Sequence, residues 1–280
     1  MPGWQPFNDN HAIDVMAAVV SFAQPVPDLT LKKILKAAED VAFPAGLRSR
    51  HRSHSMVVVD PQGVSAIPPN VSGFIFNASS EGDDALPGRR VAEQLQVDTN
   101  SVVYRIWRYV SWSWQIERMH LLMAPAIKVA QSVTAIGSVR LEYLDRFWFD
   151  GDPADAIISS LLRRDCPYLA SHIFERKDLW HVHTGAFLAT NPIKRLQQVL
   201  VDALDAPALG NLTEEIKRWI HITTALEDRF AMDGENDPRD NPDFPFNSFD
   251  TMHVELKNLL STIITAESAN RIYLTGRASS

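Results

Sequence analysis

Cysteine is nearly absent: Cys166 stands alone among 280 residues. No intrachain disulfide can form, which suits a reducing compartment such as a cytoplasm. The Asn-x-Ser/Thr triplets at Asn70, Asn77 and Asn211 then read as chance. Glycine is scarce too, with 12 scattered residues. The chain therefore has no phosphate-cradling loop of the P-loop type, no dinucleotide fingerprint and no Gly-x-Ser-x-Gly elbow. Long apolar runs are missing as well. Each is interrupted well before the roughly twenty residues that a membrane helix needs, so no membrane partner is expected. The start, "MPGWQPFNDNHAID", lacks the basic-then-apolar order of a secretory signal. A basic surplus is also lacking: 27 Lys and Arg against 34 Asp and Glu leave a net charge of −7. That balance disfavours nucleic acid as a partner and leaves room only for a local basic patch.

Hydrophobic residues make up 45%, enough for a sizeable core, and seven Trp and thirteen Phe can anchor a core or an interface. "AIDVMAAVVSF" reads as a first strand. In "PDLTLKKILKAAEDVAF", Leu31, Ile34, Leu35, Ala38 and Ala42 recur at helical spacing, with Asp28 or Thr30 as caps. "RRVAEQLQV" and "SVVYRIWRYV" alternate around "DTN" as a hairpin. "WQIERMHLLMAPAIKVAQSV" reads as a helix that Pro125 should kink or break. "SVRLEYLDRFWF" returns to strand, and Gly151–Pro153 marks a boundary. Beyond it, "PADAIISSLLRRD" reads as a short helix, "LWHVHTGAFLAT" as a strand, "RLQQVLVDALDA" as strand or helix, and "EEIKRWIHITTALEDRF" as a long strand. "FDTMHVELKNLLSTIIT" is the last long helix, capped by Asn247 or Ser248. The expected fold is α+β, with antiparallel β-meanders each packed against a long helix in two similar halves. The halves are 1–150 and 151–280, packed as one unit.

Three segments carry a resemblance: "VYRIWRYVSWSW", "LEYLDRF" from Leu141 to Phe147, and the last helix, where a His precedes a hydrophobic stretch ending in Ile-Thr. Together they resemble a sporadically distributed bacterial family of uncharacterised function. The second segment matches a strand the family writes Leu-Arg-Tyr-Ile-Asn-Arg-Ile. Here Glu142 stands where the family often has Arg, and Asp145 where it often has Asn. The resemblance implies a bacterial cytoplasmic α+β protein with an accessory role such as anti-phage defence. It supplies no activity.

The chemistry-bearing residues fall into a few groups. Strand alternation would put Arg105, Trp107 and Tyr109 on one face, with Trp112 and Trp114 following. Such a cluster could stack a base or ligand ring, or line the space between sheet and helix. His181 and His183 in "WHVH" share a strand face, the spacing two metal-binding imidazoles need, with His221 or His172 as a third ligand; the plainer reading is two surface histidines. "RSRHRSH" (Arg48 to His54) reads as a solvated basic loop or a phosphate contact. Cys166 has basic neighbours that would lower its pKa. In "MDGENDPRDNPD" the glycine is misplaced for a calcium loop. On the last helix, Phe249, Met252, Leu256, Leu259, Leu260 and Ile263 form one apolar arc. His253 sits at its edge, oriented by Asp250, while Glu255 lies on the other flank.

No cofactor is expected. The leading expectation is a non-catalytic protein that binds a partner protein or itself. The alternatives are a nucleotide or nucleic-acid binder using an Arg/Trp-lined cleft, and a His-dependent hydrolase or nuclease.

Overall fold

The computed structural model describes residues 2–8, 11–54, 71–80, 91–190, 193–207, 215–230, 241 and 243–274. Its strands are β1 (Gly3–Pro6), β2 (Ile13–Phe22), β3 (Ser49–His54), β4 (Val71–Ser79), β5 (Val91–Asp98), β6 (Ser101–Ile106), β7 (Ile136–Asp150), β8 (Trp180–Thr190), β9 (Ile193–Pro207) and β10 (Ile216–Phe230). The helices are α1 (Asp28–Ala42), α2 (Trp112–Gln131), α3 (Phe244–Ile263) and α4 (Ala266–Arg271). The architecture is α+β. All strands join one antiparallel sheet in the order β3-β4-β5-β6-β2-β7-β10-β9-β8, with β1 on the far end of β7.

Period-two alternation explains the sheet's two faces. Along β7, Val139, Leu141, Tyr143, Asp145, Phe147 and Phe149 are buried, while Arg140, Glu142 and Arg146 alternate with them. The helices cover the first face: α2 contacts β2, β5 and β6, α3 contacts β7 and β10, and α1 packs on α2, β4 and β5. A part-buried ion pair fixes α2 to the sheet. Arg118 donates to Glu93 at 2.7 Å, and Tyr104 Oη donates to the same carboxylate at 2.7 Å. The opposite face carries polar ladders, in which Arg140 donates to Gln198 at 2.6 Å and Arg105 to Gln94 at 2.9 Å.

Several elements differ from the sequence reading, each for a local reason. "PADAIISSLLRRD" yields only 3-10 turns at Pro153–Asp155 and Ile158–Ser160. "RLQQVLVDALDA" is strand throughout, since β9 is paired on both sides, by β8 and β10. The basic stretch is the strand β3 with exposed arginines, not a loop. Pro125 sits inside α2 without ending it. The carbonyl it leaves unpaired belongs to Leu121, whose exposure of 50% puts that turn beside solvent. Helix α1 starts after Pro27, with no side-chain cap from Asp28 or Thr30, although Leu31, Ile34, Ala38 and Ala42 are buried as the spacing required. Helix α3 begins at Phe244, earlier than Asn247 or Ser248, because Pro245 at its first turn presets a helical φ. "SMVVVD" and most of the acidic, calcium-like segment lie outside the described residues. No helix among the described residues is long and apolar enough to cross a membrane.

Candidate functional site

A cavity of about 420 Å³ opens between the sheet and helices α2 and α3. Its walls come from far apart in the chain: His11 just before β2 and Ile13 at its start, Tyr109 and Trp112 at the β6–α2 junction, Tyr143 and Asp145 on β7, Thr224 on β10, and His253 and Lys257 on α3. Ile272, Tyr273 and Leu274, beyond α4, complete it.

Local structure aims these groups. β6 ends at Ile106, and Ser111 Oγ caps α2 by accepting from the backbone N of Trp114 at 3.4 Å. Trp112 is thereby the first helical residue. Its indole lies parallel to the His253 ring, with centroids 4.2 Å apart and 4° between planes. Trp112 Nε1 donates to Asp250 Oδ1 at 2.7 Å, which anchors the stack. Tyr143 Oη and His253 Nδ1 share a hydrogen bond of 2.9 Å. Tyr109 stands edge-on to both Tyr143, at 6.2 Å, and His11, at 5.4 Å. His11 Nε2 lies 3.2 Å from the Tyr109 carbonyl oxygen.

Burial sets the electrostatics. Desolvation pushes the His253 pKa down to about 4, helped by the Lys257 charge. Desolvation also lowers His11, against two backbone hydrogen bonds. Both rings are therefore neutral near pH 7. Burial raises both tyrosines. Asp145 is 2% exposed, and its Oδ1 has no hydrogen-bond partner. Desolvation, with repulsion from Asp14, raises its pKa to about 7. Asp14 in turn pairs with Arg146 at 2.7 Å.

The residues singled out in the sequence are divided by this arrangement. Tyr109, Trp112 and His253 meet at the cavity. Asp250 supports it through Trp112 rather than through His253. The expected shared face of Arg105, Trp107 and Tyr109 does not form, because strand alternation stops at Ile106. Arg105 follows helix-facing Tyr104 and so projects from the opposite face, held by Gln94 and Gln96. Trp114 is 40% exposed on α2, beneath Arg118. An Arg/Trp-lined cleft is thus not what these residues build. Glu255 pairs with Arg195 at 2.5 Å.

His181 and His183 share a face of β8 with ring centroids 5.3 Å apart, and His183 approaches Asp202 at 3.4 Å. No group of three or more His, Cys, Asp or Glu among the described residues is placed to hold a metal ion. Burial raises the Cys166 pKa, outweighing Arg163, so the basic neighbours do not activate it. No family model matches the chain, and no curated protein matches it in sequence.

Proposed function

We propose that this chain is a non-catalytic small-ligand-binding protein whose site is the cavity between the sheet and helices α2 and α3. One observation carries the reading: a pocket of about 420 Å³, walled by aromatic rings, with a buried carboxyl oxygen that has no protein partner. Small-molecule sites are concave and mainly apolar, with a few placed polar groups, and volumes of roughly 300–1,000 Å³ are typical. The residues gathered here supply stacking surface and hydrogen bonds, which is what binding requires. Trp112 lies on the wall, so a ligand entering the cavity should change tryptophan emission. Titration with a metabolite library tests this. Hits should lose their fluorescence response in Trp112→Phe and lose binding in Thr224→Phe, which fills the cavity. A library that binds nowhere, or hits indifferent to both variants, would refute the reading.

A second reading keeps a protein partner, specifically another copy of the chain. It is favoured by the edge strand β8, which pairs only with β9 among the described residues and leaves Phe187 61% and Leu188 40% exposed. Open edges recruit strands. Light scattering across a concentration series should then show a dimer that Phe187→Lys dissolves.

We also infer two similar halves. The strand orders β2-β6-β5-β4 and β7-β10-β9-β8 correspond, and each set is followed by a helix of 20 residues. On this reading the repeat begins at β7, ahead of Gly151–Pro153. The resemblance to the sporadic bacterial family adds a cytoplasmic accessory role, such as anti-phage defence, to the same proposal.

A further inference from the structure

Beneath the lining of the cavity lies a carboxyl group in need of a donor. Asp145 lines the cavity, is 2% exposed, and leaves Oδ1 without a partner. Unsatisfied buried acceptors are rare in native proteins and call for an explanation. The neighbouring groups do not supply one. Asp14 repels Asp145 and is itself engaged with Arg146. The Tyr143 hydroxyl is engaged with His253. The titratable groups facing the cavity are His11, Tyr109, Tyr143, Asp145, His253, Lys257 and Tyr273. Lys257 is exposed, on the solvent side of α3.

We propose that the cavity binds a small organic amine, its N–H donors meeting the Asp145 carboxylate beside Tyr109 and Tyr143, its apolar body lying along Leu256, Leu260 and Ile272. This rests on the small-ligand reading above. Oδ1 is covered by protein, so it meets a ligand only after the carboxyl turns toward the cavity; an ammonium then supplies both what Oδ1 lacks and the opposite charge. Tyrosine ring faces attract cations within about 6 Å of their centroids. A ligand carboxylate at the same depth would be repelled by the ionised Asp145. Lys257 repels a second cationic centre at its end of the cavity but tolerates an acidic tail. Monoamines and apolar amino acids therefore fit, and diamines fit poorly. The charged pair forms only when Asp145 is ionised. Its pKa of about 7 makes binding weaken as pH falls below that value.

The test is calorimetric titration of the full chain with phenethylamine, phenylalanine, 1,6-diaminohexane, 3-phenylpropionate and 2-phenylethanol. Phenethylamine and phenylalanine should bind at least about tenfold more tightly than the acid and the alcohol, and about tenfold more tightly at about pH 8 than at about pH 6. Asp145→Asn should remove that preference while the thermal transition stays cooperative. Lys257→Glu, away from Asp145, should admit the diamine. Equal binding of acid and amine, or an unchanged preference in Asp145→Asn, overturns the amine assignment while the ligand-binding reading survives. Failure of all five probes overturns the amine assignment, and the ligand-binding reading falls only if the metabolite library fails as well.

Discussion

At the scale of the residue, a carboxyl group on the inner face of β7 has little water to stabilise its charge. The Asp145 pKa is raised from 3.8 to about 7, so the folded state holds a proton that the unfolded chain has lost. Its contribution to stability is complete below pH 3.8 and disappears as pH rises through about 7. Relative to Asp145→Asn, the natural chain should lose about 1.4 kcal/mol between about pH 6 and about pH 9, since only the unit between 6 and the folded pKa counts, at about 1.36 kcal/mol per pKa unit. Urea midpoints of both proteins at the two pH values check this. The histidines act in the opposite direction. His253 and His221 are lowered from 6.5 to about 4, so their contribution is full above 6.5 and is lost as pH falls through about 4. An NMR titration should find the His253 ring near 4. Trp112→Ala, which uncovers that ring, should return it toward 6.5.

At the scale of the element, two positions mark where backbone geometry overrides sequence pattern. Gly73 on β4 lies so close to β5 that an added Cβ would stand 2.0 Å from the Val97 carbonyl oxygen. Gly73→Ala should push the strands apart and destabilise by about 2 kcal/mol in chemical denaturation. Pro125→Ala should instead restore the hydrogen bond to Leu121 and raise stability by roughly 1–3 kcal/mol, read from the same measurement. The elements themselves were largely legible because their periods are local. The apolar arc of α3 is buried as its spacing required. The β5–β6 hairpin is written in "DTN", where Asp98 Oδ1 accepts from the backbone N of Asn100 at 2.8 Å and of Ser101 at 2.9 Å. The site was less legible. Tyr109, Trp112 and His253 stand out by residue type. His11 and Thr224 reach the cavity only through register, as in the pairing of Thr224 with Tyr143, and no local pattern encodes that pairing. Asp145 did leave a signal: it takes the buried parity of β7, between Tyr143 and Phe147, where an apolar residue is the rule.

At the scale of the whole molecule, the described C-terminal segment fastens the fold and finishes the cavity. Arg271 donates to the Trp4 carbonyl oxygen at 2.7 Å and to the Gln5 side chain, tying α4 to β1. Arg271→Ala should leave the core intact but speed amide hydrogen exchange across residues 3–6, detectable by mass spectrometry. β7 is the busiest strand, paired with β1, β2 and β10. That position has a consequence during synthesis. β2 through α2 leave the ribosome before β7, and until β7 follows, one side of β2 is a row of unpaired amides and carbonyls. Neighbouring nascent chains on one messenger carry the same open row and, moments later, the same β7. Each β7 can close its own β2 or the neighbour's with identical hydrogen bonds.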